Sequence, residues 1–195
     1  MIRRLSLLTL ILFFMSSVSV FSGTGESITI KRDGKSAASI SNPYGNLWEY
    51  SESGNTWSVD SGDNGKVVFK KGYDTLAEGK FKGSKLEMKS IYGDLYLKLK
   101  ITSEKIKVNW NKTDDTWVLK RKEDKIKAKL NDMDYGKIKF YTDTGKLKVK
   151  DRFDTVIAEI KSFDRLSFAP GAFLMTELSN DQKIFLTLLL FSKNH

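Results

Sequence analysis

The feature that most constrains this chain is a degenerate unit of about 20 residues. Five tetrapeptides line up: Lys66-Val-Val-Phe69, Lys85-Leu-Glu-Met88, Lys105-Ile-Lys-Val108, Lys125-Ile-Lys-Ala128 and Lys146-Leu-Lys-Val149, at spacings of 19, 20, 20 and 21 residues. A second half-unit follows most of them: Tyr73-Asp-Thr-Leu-Ala-Glu-Gly-Lys80, Tyr92-Gly-Asp-Leu-Tyr-Leu-Lys98, Asp115-Thr-Trp-Val-Leu-Lys120 and Phe153-Asp-Thr-Val-Ile-Ala-Glu-Ile-Lys161. Each unit reads as strand, polar turn, strand. Ile106, Val108 and Trp110 alternate with Lys105, Lys107 and Asn109, and Ile126, Ala128 and Leu130 with Lys125, Lys127 and Lys129. Leu95, Leu97, Leu99 and Ile101 are expected to face opposite to Tyr96, Lys98 and Lys100. Period two means one buried and one wet face.

Turn residues fall between the runs, at Asp33-Gly34, Ser53-Gly54-Asn55, Asp63-Asn64-Gly65, Gly83-Ser84, Thr113-Asp114-Asp115, Asp134-Tyr-Gly136 and Thr144-Gly145. Connections this short join antiparallel neighbours. The runs from Ser27 to Phe168 predict roughly 11 to 13 strands, a mainly β chain whose meander closes into a barrel and so removes its own edges. A propeller needs about 40 residues per blade, which would leave only three blades.

The alternation stops near Phe168. Pro170-Gly171 punctuates the chain, and Ala172 to Glu177 can form a short helix. Ser179-Asn-Asp-Gln182 has capping-box spacing. The segment behind it, Ile184-Phe-Leu-Thr-Leu-Leu-Leu-Phe191, is apolar on every side. A final strand buried on both faces is one reading. The cap and the excess of leucine over β-branched residues favour a helix over residues 180–192, packed inside the barrel because a helix apolar all round must be buried all round.

A closed antiparallel barrel of about 12 strands around a hydrophobic C-terminal helix resembles the tubby-like fold of the LURP-one-related and scramblase families. Their hairpins carry an aromatic residue, an Asp and a Gly, and Trp57-Ser-Val-Asp60-Ser-Gly62 and Phe140-Tyr-Thr-Asp143-Thr-Gly145-Lys-Leu-Lys-Val149 are similar. The resemblance spans residues 28 to 191 and implies architecture alone.

Residues 1–22 read as a secretory signal peptide: Arg3 and Arg4, an apolar run from Leu5 to Met15, then small residues around Ser19 and Ser22. An uncleaved anchor is the other reading. The expected address is exported, periplasmic or extracellular, with residues 23–195 as a single domain. The chain has no cysteine, which excludes thiol catalysis, disulfides and thiolate metal sites. Its one histidine is terminal His195, so Ser-His-Asp and multi-histidine zinc arrangements cannot be assembled. Three close carboxylate pairs, Asp114-Asp115, Asp132-x-Asp134 and Asp60-x-x-Asp63, fall at expected turns, where Asp bonds its own backbone. No catalytic site, metal or cofactor is expected. Asn111-Lys-Thr113 is a glycosylation sequon.

Charge stands above this background. Between Lys85 and Lys150 there are 18 Lys and Arg against 10 Asp and Glu. On neighbouring strands Lys105, Lys107, Lys125, Lys127, Lys129, Lys146, Lys148 and Lys150 would stack into rows on the outer surface. Lysine also blunts β-edges and keeps β-proteins soluble. As a site, the rows suit an anionic partner, lipid head groups or an acidic polysaccharide. Nucleic acid is not expected, since no aromatics interleave the rows for base stacking. An outer-membrane barrel is disfavoured because lysine on the outer face is costly against hydrocarbon. The expected function is thus a non-enzymatic exported binding or structural module. The alternatives are a ligand carrier or carboxylate-based enzyme using the barrel interior, and an assembly subunit.

Overall fold

The computed structural model describes residues 27–42, 45–110, 114–161 and 165–193. The expected signal peptide, the sequon and His195 lie outside these. Fourteen strands form one closed up-and-down barrel. They are β1 (Ile28–Arg32), β2 (Lys35–Ser41), β3 (Leu47–Glu52), β4 (Asn55–Ser61), β5 (Lys66–Lys71), β6 (Asp74–Lys82) and β7 (Lys85–Ser90). The second half is β8 (Leu95–Ile101), β9 (Lys105–Trp110), β10 (Trp117–Arg121), β11 (Lys125–Leu130), β12 (Met133–Tyr141), β13 (Lys146–Asp151) and β14 (Val156–Ile160). Every strand pairs antiparallel with its sequence neighbours, and β1 closes the ring on β14 through Ile30 opposite Ile160 and Lys31 opposite Glu159.

The mainly β meander barrel agrees with the alternation, but it holds 14 strands rather than 11 to 13. The two-residue turns explain the difference. β11 and β12 are separated only by Asn131 and Asp132, both left-handed at φ 47° and 67°. Asn and Asp tolerate that region and build such turns. The expected turn at Asp134-Tyr-Gly136 instead lies inside β12, next to a bulge. Gly136 serves a close approach there: a Cβ would meet the carbonyl oxygen of Lys150 and lie 2.8 Å from Leu174.

Bulges recur at one level of the barrel. On β2, β6, β8, β12 and β14 the register gains one residue, namely Ala37, Leu76, Tyr96, Tyr135 and Ile157. A bulge bends its strand and re-aims the extra side chain. Tyr96 was expected outside with Leu95 inside. The bulge reverses them: Tyr96 packs inward at 6.2 Å from the Phe185 ring, and Leu95 stands opposite outward-facing Lys89.

The inward residues are apolar on all fourteen strands, and all four tryptophans are buried. A barrel this wide needs more than its own side chains inside it. The last 28 described residues, 166–193, supply the filling. After β14 the chain passes under the rim where Arg121 donates to the carbonyl of Leu166 (3.1 Å) and lies over the Phe168 ring. This end is the upper rim, where even-numbered strands finish. A 3-10 turn, Ala169–Leu174, descends the interior against β12, β13 and β14. It starts earlier than the expected Ala172 because Pro170 fits the first turn of a helix, where its missing N–H is no loss.

At the lower rim the chain reverses, and helix α1 (Asn180–Ser192) climbs back up. Ser179 and Gln182 form the reciprocal capping box. Trp57 Nε1 donates to Asp181 (2.8 Å) and Trp117 Nε1 to Glu177 (3.1 Å), tying the foot of the helix to the wall. Higher up, Phe185 meets Phe69 at 5.2 Å, and Phe191 stacks on Trp48 at 5.9 Å. Every residue from Ile184 to Phe191 is buried, so the helix is enclosed as its all-round apolarity requires.

Two consequences are measurable. Phe185→Ala should cost about 3–5 kcal/mol by urea denaturation, since the filler has no way to collapse within a closed wall. The phenols of Tyr50 and Tyr96 are raised above the ordinary tyrosine range, first by burial, then by the nearby carboxylates of Glu52 and Asp181 respectively. A folded-state pKa above the unfolded value of about 10 leaves their contribution intact below that pH and removes it above. In an alkaline titration both phenols should stay protonated until circular dichroism reports unfolding; ionisation at ordinary pH with the barrel intact would contradict this.

Candidate functional site

The outer wall is where charge collects. Antiparallel register decides which outward side chains oppose one another, and here it places lysine opposite lysine. Ten such pairs occur: 66–80, 82–85, 85–100, 100–107, 105–120, 120–127, 125–139, 127–137, 137–150 and 139–148. Two ladders run across the strands. One is Lys82, Lys85, Lys100 and Lys107 on β6 to β9; the other is Lys105, Lys120, Lys127, Lys137 and Lys150 on β9 to β13. They meet on β9, where Lys105 and Lys107 share a face. The result is one continuous belt from β6 to β13.

Two concavities lie in this belt. The larger, about 960 Å³, spans β5 to β9, and the other, about 770 Å³, spans β9 to β11. They share Lys107. In the larger one Glu78 and Glu87 pair with Lys66 (3.1 Å) and Lys98 (3.5 Å). In the smaller one Lys105, Lys107, Lys120, Lys122 and Lys127 have no carboxylate within ion-pair distance among the described residues, and only Lys129 is bridged, to Asp134 at 3.5 Å. In the larger one Lys80, Lys82, Lys85, Lys89 and Lys100 likewise have no carboxylate within ion-pair distance among the described residues, so both grooves carry unpaired lysine.

The eight lysines expected from the sequence all stand on the outer wall but do not form one group. Lys105, Lys107, Lys127 and Lys129 line the β9–β11 groove. Lys125, Lys146 and Lys150 lie further round and are each held by acid: Asp124 (3.7 Å), Glu159 (3.4 Å) and Asp154 (3.2 Å). Lys148 sits over the Tyr141 ring at 5.0 Å. Asp154 also takes Lys137 at 2.6 Å, and these two lysines hold its carboxyl below the usual range. Sequence reasoning missed Lys120 and Lys122. Lys120 closes the half-unit Asp115 to Lys120, and counting outward from Trp117 would have found it. Lys100 and Lys137 were missed as well, because only register shows what opposes them.

The three carboxylate pairs serve turns and surface ties. Asp60 accepts from Asn46, Asp115 from Asn131, Asp132 is a left-handed turn residue and Asp134 bridges Lys129. No group of three or more potential metal ligands occurs among the described residues. No helix among them is long and apolar enough to cross a membrane. No family model, no curated protein and no solved structure matches this chain.

Opposed like charges destabilise a sheet by a few tenths of a kcal/mol to about 1 kcal/mol per pair. Lys127 faces Lys120 on one side and Lys137 on the other. Lys127→Glu should therefore raise stability by about 0.5–1 kcal/mol at low salt, read by urea denaturation, and the gain should shrink as salt screens the wall.

Proposed function

We propose that the chain is a non-enzymatic binding module that holds a linear acidic polymer, in first place an acidic polysaccharide, along its lysine belt. The observation that carries this reading is the run Lys105–Lys120–Lys127–Lys137–Lys150, five lysines directly opposed on five neighbouring strands. A surface needing only solubility does better with both signs interspersed. The ladder instead repeats a lysine about every 5 Å, the spacing between strands, with Lys105, Lys120 and Lys127 unpaired among the described residues and Lys137 and Lys150 sharing Asp154. That array lies across a curved wall. A flexible polyanion can follow the curve, whereas a flat bilayer would touch a barrel wall along only a few strands, so lipid head groups rank second.

The filled interior favours the outer wall over an internal ligand carrier, because 166–193 occupy the space a ligand would need. An exported address fits an extracellular or envelope polysaccharide and rests on the N-terminal 22 residues alone. A tubby-like relationship is supported by a barrel closed around a C-terminal helix. The strand count of 14 sets it apart from the 12 of that family.

Polygalacturonate and vesicles of anionic phospholipid are the two probes, each titrated at about 50 mM and about 200 mM salt. Binding to the polysaccharide should weaken roughly tenfold or more over that interval, as counterion release at several contacts requires. Lys120→Glu with Lys127→Glu should abolish it while leaving the fold intact. Salt-insensitive binding, or none to either probe, would sink the proposal; vesicle binding alone would transfer the belt to lipid.

A further inference from the structure

The two rims of the barrel differ in charge and in apolar surface, and the difference is complementary. Take the connections between strands plus the strand residue on either side. Among the described residues the lower rim, with the reversal after Leu174, then carries ten acids and four bases, and the upper rim, with Lys161, Arg165 and Lys193, eleven bases and five acids. The exposed large apolar side chains also segregate. Tyr73, Ile91, Tyr92, Met133, Phe153 and Val156 all belong to lower-rim hairpins. Tyr73 is fully exposed and Tyr92 86% exposed. Tyr73, Tyr92 and Phe153 each fall seven residues after the lysine that opens their repeat, at Lys66, Lys85 and Lys146, so this part of the pattern comes from the repeat.

The upper rim offers the counterpart. A depression of about 770 Å³ opens there over the top of α1, floored by Phe81, Ile106, Phe168 and Leu190. Its two cations rest on aromatic rings: Arg121 over Phe168 at 5.1 Å and Lys193 over Phe81 at 4.5 Å. Neither has a carboxylate within ion-pair distance among the described residues.

We propose that the acidic, aromatic-tipped lower rim of one molecule docks on the basic, apolar-floored upper rim of a second copy. The acids choose this partner over an anionic bilayer. Asp74 and Asp94 stand beside Tyr73 and Tyr92 without a described ion pair and would repel anionic head groups, whereas they match the upper rim's lysines. The contact joins unlike faces, so it is heterologous; stacked along the barrel axis it does not close on itself and gives linear rows. It does not depend on the lysine belt binding any polymer: Lys82, Lys85, Lys105 and Lys122 belong to both the belt and the upper rim, but the contact needs only a second copy of the chain.

Sedimentation over a range of concentrations tests the contact. The protein should form species larger than its 22.2 kDa monomer, growing with concentration and dissociating in high salt. A lower-rim variant (Tyr73→Ser, Tyr92→Ser, Phe153→Ser) and an upper-rim variant (Lys82→Glu, Lys193→Glu) should each remain monomeric. Mixed together they should form a one-to-one dimer and nothing larger, because each retains one working rim. All altered side chains are on the surface, and circular dichroism confirms the fold; the single change Tyr73→Ser, which touches nothing, should already weaken association severalfold. A monomeric parent at every concentration, self-association of either variant like the parent's, or a mixture that stays monomeric would overturn the proposal. So would parent assemblies indifferent to salt.

Discussion

Enclosure of an apolar C-terminal segment is the constraint on which the rest of the structure depends. A closed wall of fourteen strands is too wide for its own side chains to fill. Ile184–Phe191 is apolar on every side and cannot rest on a surface without exposing leucine or phenylalanine to water. Each solves the other's problem. The 3-10 turn and α1 pass down and back through the barrel, and the bulged residues Tyr96, Tyr135, Leu76 and Ile157 lean in around the same filling. Indole-to-carboxylate bonds from Trp57 and Trp117 fix where the helix begins, and the Phe191–Trp48 stack fixes where it ends.

With apolar residues committed inward, the alternation leaves lysine for the outside, and register then brings lysines face to face. That arrangement costs stability on its own, by a few tenths of a kcal/mol for each opposed pair. Glutamates at 78, 87 and 159 and aspartates at 124, 134 and 154 relieve parts of it. Lys82, Lys85 and Lys100 on β6 to β8 and Lys105, Lys107, Lys120 and Lys127 on β9 to β11 are left without an ion pair among the described residues. The uncompensated charge therefore runs through both grooves of the belt, from β6 to β11.

Much of the fold was legible because two periodicities differ. Period two from Lys66 to Lys161 marks strands, and its loss after Phe168 marks a segment of another kind. The capping box at Ser179 located the helix start to the residue. What escaped were effects that depend on a partner strand. The bulge that turns Tyr96 inward is invisible in the string Leu95-Tyr-Leu97, which alternates as well one way as the other. Asn131-Asp132 was passed over in favour of Asp134-Tyr-Gly136, since glycine advertises a turn more loudly than two residues that merely tolerate one. The lysines that matter together, Lys105, Lys107, Lys120, Lys122 and Lys127, come from three strands and one turn. Only pairing shows that Lys125 and Lys146 do not belong with them.

The seam between β1 and β14 is the shortest pairing in the ring, two aligned residue pairs joining segments about 130 positions apart. Its neighbours are built from adjacent hairpins and can form locally, but this join must wait for the whole meander. The filling, residues 166–193, follows all fourteen strands along the chain. Fourteen strands linked by thirteen short connections therefore leave the ribosome before the segment that fills them. The segment that follows the strands is thereby among the best buried in the molecule, held by a ring whose closing join is its slightest.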